Sequence, residues 1–380
     1  MSTVRLENLL DTAKAPWYAR QVIGLLQEIE HGCLHLELPN GIDMSIGHGQ
    51  PVAWLKFHKW SAFRDVLTKG GVGFAEGYLS GAWDTPDLTG LLCLLANNRD
   101  SLDRVIYGRW WGKLYNRLRH LLNANTRSGS RRNIASHYDL GNDFYSLWLD
   151  PGMTYSSARF DGDSSLSLEA AQTRKYQRIL DLLDLPAGTS LLEVGCGWGG
   201  FAEHAARTAR HQVRGITLSH QQLDYARARI REAGLAEQCS FAFQDYREEG
   251  SQYDGIVSIE MFEAVGEAYW PVYFNALKHA LKPGGRAVVQ TILIDDKLFE
   301  RYREGSDFIQ RYVFPGGMLP STSIFLEEAR RAGFVVSREE HFGLDYAETL
   351  ARWRQAFLPR TQAVKQLGFD ERFLRIWHFY

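Results

Sequence analysis

Between Ser190 and Gln290 short apolar runs recur, separated by stretches with the three-to-four-residue spacing of amphipathic helices. The runs Ser190–Val194, Gln212–Ile216, Cys239–Phe243, Tyr253–Ile259 and Gly285–Gln290 predict strands. Phe201–Arg210, Gln221–Ala233, Trp270–Leu281 and Ile324–Ala332 predict helices. Strands alternating with helices point to an α/β fold, its mostly parallel sheet covered on both faces. The first 110 residues pattern differently. A helical start reaches Leu25 and Leu26, His35–Leu38 alternates like a strand, Asn40-Gly41 supplies a turn, and Pro51–Phe57 reads as another strand. Gly71–Trp83 is rich in glycine and aromatics, and a helix is expected from Asp87 to Asn97. This is a smaller N-terminal α+β domain, residues 1–110, with no catalytic constellation of its own.

From Trp110 to Arg132 the pattern changes again. Lys113, Arg117, Arg119, Arg127, Arg131 and Arg132 accumulate with almost no acid between them, beside Trp110, Trp111, Tyr115, Leu118, Leu121 and Leu122. Residues 111–132 read as a basic amphipathic linker. Such a segment suits an anionic membrane surface, and it equally suits a solvated helix joining two domains. The remainder, 133–380, is the expected catalytic domain.

Composition narrows the classes. A chain of 380 residues favours two domains, and a net charge of −2 argues against a general nucleic-acid binder. Eleven Trp, seventeen Tyr and twenty Phe suit a large apolar pocket or a membrane-contacting face as well as a filled core. The four cysteines, Cys33, Cys93, Cys196 and Cys239, form no CxxC pair, and no metal site is expected. Met1–Asn8 has no apolar signal core, and no run approaches the ~20 apolar residues a membrane span needs. A cytoplasmic protein that reaches lipid peripherally fits these features.

The strongest chemical signal is Leu191-Leu-Glu-Val-Gly-Cys-Gly-Trp-Gly-Gly200, which ends a strand and opens a helix. Gly195, Gly197 and Gly199 let the backbone turn sharply and approach a ligand, and Glu193 can accept hydrogen bonds from a cationic or hydroxylated one. The Glu-x-Gly-x-Gly-x-Gly spacing differs from the dinucleotide Gly-x-Gly-x-x-Gly and resembles the first motif of Rossmann-like class I methyltransferases. After the second strand come Thr217 and Gln222, whose polar groups suit a ribose. After the third come Asp245 and Tyr246, an acceptor and a ring suited to adenine.

Beyond these, His137–Tyr145, Leu149–Ala158, Glu260-Met-Phe-Glu-Ala-Val-Gly266 and Phe342-Gly-Leu-Asp-Tyr346 resemble the cyclopropane-fatty-acyl-phospholipid synthases and the related mycolic acid cyclopropane synthases. The resemblance runs from Asn133 nearly to the end, and residues 1–110 are similar to the extra domain of the bacterial phospholipid enzymes. It implies S-adenosylmethionine as cofactor, with Tyr155 and Ser156 against it, Gly195 and Gly197 as floor, Thr217 and Gln222 at the ribose, and Asp245 and Tyr246 near adenine. In this family a bicarbonate ion beside the transferred methyl is held by Cys, Glu, His and Tyr. The matching positions are Ser157, Glu263, Gln290 and Tyr346, of which Glu263 and Tyr346 keep the pattern while Ser157 and Gln290 depart from it; a His often found after the Glu is Ala264. Glu263 could then serve as base directly.

The implied reaction transfers a one-carbon unit from a sulfonium to the double bond of an unsaturated phospholipid acyl chain. Proton loss from the new methyl closes a cyclopropane. Loss from a chain carbon leaves a methyl-branched or methylated unsaturated product, and a small-molecule O-, N- or S-methyltransferase is the more distant alternative. Asp307–Pro320, apolar and shaped by prolines and glycines, is expected to wall or cover the acyl site, or simply to cap the sheet. A homodimer is compatible with the resemblance, and the family continues past Trp377–Tyr380, so a trimmed terminus is expected.

Overall fold

The computed structural model describes residues 14–106 and 140–380. The expected basic linker 111–132, with His137–Asp139 of the first signature, lies outside the described residues. The chain divides into two compact units. One comprises Met1–Leu121, Glu304–Val313 and Asp370–Tyr380; the other comprises Leu122–Arg303 and Phe314–Phe369. Two distal segments assigned on sequence to the 133–380 domain thus belong with the N-terminal unit, and Asp307–Pro320, expected as one wall or lid, is shared between the units.

The first unit is built on a four-stranded sheet of order β2-β1-β3-β4, with β1 Gly32–Glu37, β2 Asp43–His48, β3 Val52–Phe57 and β4 Trp83–Asp84. β1 pairs antiparallel with β2 and parallel with β3, the α+β mixture expected. The glycine-rich stretch after residue 70 is a helix, Gly71–Leu79, where sequence reading offered no element. Two of its three glycines, Gly73 and Gly77, are there for contact. A Cβ on Gly73 would lie 2.0 Å from the Asp65 carbonyl oxygen, and one on Gly77 would lie 2.7 Å from the Trp83 ring. The helix Ser61–Lys69 therefore packs at backbone distance against its successor. The distal segments are tied in by polar contacts. Arg311 and the Tyr312 hydroxyl both reach Glu76 Oε1 at 2.8 Å, and Arg375 bonds the Tyr78 carbonyl oxygen at 2.6 Å and Asp84 Oδ1 at 2.5 Å.

The second unit holds a five-stranded, wholly parallel sheet of order β7-β6-β5-β8-β9: β5 Ser190–Val194, β6 Gln212–Thr217, β7 Cys239–Phe243, β8 Tyr253–Ile259 and β9 Leu281–Gln290. Strand alternation sends neighbours to opposite faces. Leu191 and Val257 join a cluster with Ile179, Phe201, Leu223 and Ile230, whereas Leu192, Val194 and Ile256 join one with Trp270, Tyr273, Phe274 and Ala329. The first face is covered by helices Leu168–Leu183, Gly200–Ala209 and His220–Glu232, the second by Trp270–Ala280 and Thr322–Arg331. The chain runs from β5 outward through β6 to β7, then returns to place β8 on the other side of β5. The crevice at the carboxyl ends of β5, β6 and β8 is where open α/β sheets bind ligands. Among the described residues no helix is long and apolar enough to cross a membrane.

Gly73→Ala is expected to destabilise the protein by about 3 kcal/mol, because the Asp65 backbone cannot yield cheaply to a new methyl. Gly24→Ala, in the helix Trp17–Leu26 with nothing within 4 Å of the added atom, is expected to be neutral or stabilising by up to ~1 kcal/mol. Chemical denaturation of the two variants checks both signs.

Candidate active site

At the end of β5 the chain turns through three glycines of positive φ, Gly195 at 81°, Gly197 at 50° and Gly199 at 81°, and enters the helix Gly200–Ala209. Their roles differ. A Cβ on Gly195 would strike Met261 Cγ at 2.8 Å, one on Gly197 would meet nothing within 4 Å, and one on Gly199 would press on Ala226 Cβ at 3.1 Å. The first two line a cleft and the third brings two helices together. Gly199, expected at the cofactor, is thus a packing glycine. The cleft is also lined by Tyr155, Ser156, Glu193, Thr217, Gln222 and Tyr246, so the structure gathers eight of the ten expected cofactor residues around one space. Asp245 is the other exception. It is 1% exposed, with its carboxylate turned to Arg247 at 2.5 Å and to the Arg247 backbone N–H at 3.0 Å. Gln244, its neighbour, is the residue that lines the cleft.

The loop over the glycine turn is held in place by its own carboxylate. Asp150 accepts the N–H groups of Gly152 (2.9 Å) and Thr154 (3.0 Å), and Arg229 donates to the carbonyl oxygens of Gly152 and Trp198 at 2.9 and 3.1 Å. Trp198 in turn donates to Asn142 Oδ1 at 2.7 Å. After β6 the Thr217 hydroxyl donates to Gln222 Oε1 at 2.8 Å, which leaves the Gln222 NH2 as its donor end.

Beneath the loop lies a charge the sequence reading did not single out. Lys175, from the helix Leu168–Leu183, is 2% exposed and donates to Ser156 Oγ at 2.6 Å. Burial pulls its ammonium down to about 8, opposed by the carboxylates of Glu260, Asp150 and Glu193. The signal was present in the spacing. Ala171, Lys175 and Ile179 form an i, i+4, i+8 stripe, with a lysine in the middle of a buried face. Burial pushes the Glu193 carboxyl well above its ordinary range, and its Oε2 is buried with no hydrogen-bond partner. An orphaned acceptor above a floor kept free of side chains fits a ligand that brings positive charge and hydroxyl donors.

Two further buried carboxylates follow β8; Glu260 lines the cleft, whereas Glu263, the expected base, is not among the residues that line it. Glu260, also missed as a site residue although it opens the Glu-Met-Phe-Glu motif, follows β8 at φ 48° and lines the cleft. Its Oε1 accepts the Ser157 N–H and the Gln290 Nε2–H, each at 2.8 Å. Burial raises its carboxyl, and Lys175 draws it back. Glu263 Oε1 accepts the Thr291 hydroxyl at 2.9 Å and the Ile292 N–H, while Oε2 is buried without a partner. Burial, with Glu260 adding like charge, pushes Glu263 up to about 8. Ser157 and Gln290 therefore meet on Glu260. The Ser157 hydroxyl points elsewhere, to the Ala158 carbonyl oxygen at 3.0 Å. Tyr346 stands on the helix Gly343–Phe357, its ring 6.5 Å from that of Trp353; the same helix presents Thr349, whose hydroxyl takes the Ala158 N–H at 3.0 Å.

A parallel sheet with a glycine turn at its switch point and an acid ending the first strand defines a Rossmann-like, S-adenosylmethionine-dependent methyltransferase. The chain belongs to the mycolic acid cyclopropane synthetase family, whose profile matches residues 125–380. It is 38% identical over 325 residues to the tuberculostearic acid methyltransferase of Mycobacterium tuberculosis, covering 83% of this chain and 75% of the relative. It is 34% identical over 331 residues to the cyclopropane-fatty-acyl-phospholipid synthase of Escherichia coli, covering 84% and 80%. The mycolic acid cyclopropane synthase CmaA1, solved with SAH and CTAB, superposes with a TM-score of 0.60 at 30% identity over 65% of this chain and 91% of that one. The protein is thus an enzyme of S-adenosylmethionine-dependent lipid modification.

The raised Glu263 carboxyl has a stability consequence. A carboxyl held above its ordinary 4.5 binds its proton more tightly in the folded state, so folding loses stability as pH rises from about 4.5 towards about 8. Glu263→Gln is expected to gain on the wild type over that window and to match it most closely at the acid end. Melting temperatures of both proteins across pH measure the difference.

Proposed function

We propose that the enzyme transfers a one-carbon unit from S-adenosylmethionine to the double bond of an unsaturated fatty acyl chain of membrane phospholipid and closes a cyclopropane ring. The observation carrying this reading is the placement of Glu260 in the cleft of the glycine turn, with Glu263 three residues on. When bound, S-adenosylmethionine supplies an electrophilic methyl, which the alkene π pair takes while the C–S pair stays on sulfur and the second alkene carbon is left cationic.

The chain's own residues do the rest. Glu193 accepts from the donor's amino or hydroxyl groups, Gln222 reaches a ribose hydroxyl, and Tyr246 offers a ring face to adenine. Lys175 holds Ser156, and so the loop that carries Tyr155, against the cleft. Ile259, Met261 and Ala264 keep water from the cationic carbon, and the buried carboxylates offset its charge at a distance where water would screen it. A base on the donor's side of the acyl chain is nearest the newly arrived methyl, whose C–H pair closes the ring. The basic aromatic run at 110–132 supports contact with an anionic bilayer at its cytoplasmic face.

A second reading, in which the proton leaves a chain carbon and a methylated or methyl-branched acid results, is favoured by the 38% identity to the tuberculostearic acid methyltransferase. Incubation with a trideuteromethyl donor and unsaturated phospholipid separates the two. A ring keeps two of the three deuterons and resists hydrogenation, whereas a methylated alkene keeps all three. Loss of one deuteron is the result expected; full retention would establish the second reading. Glu193→Gln is expected to weaken S-adenosylhomocysteine binding by about tenfold or more in calorimetry, a charged hydrogen bond being worth about 1.5–3 kcal/mol.

A further inference from the structure

The positions expected to hold bicarbonate do not fit a free ion in this chain. The Gln290 amide is spent on Glu260 Oε1 at 2.8 Å and the Ser157 carbonyl oxygen at 3.4 Å, and the Ser157 N–H converges on the same Glu260 oxygen at 2.8 Å. The Ser157 hydroxyl is turned away to Ala158. An added anion would also meet the like charge of the buried Glu260 and Glu263 carboxylates, and burial opposes it as well. The Glu260 backbone is itself unusual. It lies at φ 48°, a left-handed conformation that costs a non-glycine residue of order 1 kcal/mol or more and persists where the surroundings impose it. Here they do. The Glu260 N–H donates to the Gln290 carbonyl oxygen at 2.8 Å, so main chain and side chain are both locked to the end of β9.

We infer that the Glu260 carboxylate takes the place of the bicarbonate ion: this enzyme carries its anionic base as a side chain and turns over without dissolved carbonate. The inference rests on the methyl-transfer reading above and deepens it. Glu260 Oε1 is held by its two donors and the carboxylate lines the cleft, so the base is fixed where the methylated cation forms. A C–H bond of that cation breaks, its electron pair forms the new C–C bond that closes the ring, and the proton passes to the Glu260 carboxylate. The neutral acid returns it to water once the products leave. Gln290 suits this arrangement because its amide donates to the carboxylate at any working pH, whereas an imidazole there would titrate and compete for the proton.

The test has a binding arm and a turnover arm. In the binding arm, 13C-bicarbonate is titrated with wild type and with Glu260→Gly, since glycine adopts the left-handed backbone without strain and leaves both donors bare. The carbonate resonance is expected to stay sharp with wild type and to broaden with E260G; broadening with wild type would overturn the inference. In the turnover arm, wild type is expected to work equally in carbonate-free and bicarbonate-loaded buffer. E260G and Glu260→Gln, checked for fold by melting and by S-adenosylhomocysteine affinity, are expected to fall about 10²–10⁴-fold, with formate or bicarbonate restoring E260G alone. A carbonate requirement in wild type, or near-normal rates in folded E260Q, would refute it. If no unsaturated phospholipid turns over while S-adenosylhomocysteine still binds, the reaction assignment has failed instead, and the bicarbonate titration still decides the role of Glu260.

Discussion

The site depends on one buried ammonium. Lys175 sits under the cofactor loop, facing Glu260, Asp150 and Glu193 and bonded to Ser156. Taking such charges out of water costs several kcal/mol per ion, which only mutual pairing and hydrogen bonds offset. Asp150 spends its oxygens on the loop N–H groups and Glu260 spends one on Ser157 and Gln290, whereas one oxygen of Glu193 is left bare. The cluster is therefore nearly satisfied within the protein, and its one deficit belongs to Glu193, a residue that lines the cleft. In the proposed function the incoming sulfonium compound, itself cationic and rich in donors, completes it.

On the proposed reaction, that arrangement explains how a weak nucleophile can react. An alkene offers only its π pair, so the enzyme must desolvate the electrophile and tolerate a carbocation. Buried carboxylates held by fixed hydrogen bonds serve both ends, because their field is little screened and need not reorganise as charge develops. Two carboxylates three residues apart also divide the labour. Glu260 is tied to the loop at Ser157 and to Gln290 at the end of β9, while Glu263, tied to Thr291 and Ile292, is pushed towards neutrality by burial and by its neighbour. Environments that push paired acids apart are how enzymes assign their roles.

Much of the catalytic unit was legible in the sequence because it is local. The five strands and four of the five covering helices were placed within a few residues, because each has its own apolar run or spacing; the helix Leu168–Leu183 was not expected, and β9 starts at Leu281, four residues before the expected run. The glycine turn announced the cleft for the same reason. What escaped was whatever depends on residues distant in sequence. Order along the chain told that Asp245 lies near the cleft, but not that Arg247, two residues on, would claim its carboxylate. Gly199 looked like its two predecessors until Ala226 packed against it. Glu260 belonged to a recognised motif, yet its role follows from Ser157 and Gln290, 103 and 30 residues away. Gly71–Leu79 hid its helix because glycines lower propensity, and only close packing shows why they are needed. The membership of Glu304–Val313 and Asp370–Tyr380 in the first unit likewise has no local signature.

The most direct test of this account is a crystal structure with S-adenosylhomocysteine, grown in bicarbonate-loaded medium. Glu260 Oε1 should still lie about 2.8 Å from the Ser157 nitrogen and Gln290 Nε2, with no ion between them. A carbonate seated on those two donors, with the Glu260 side chain swung aside, would contradict it.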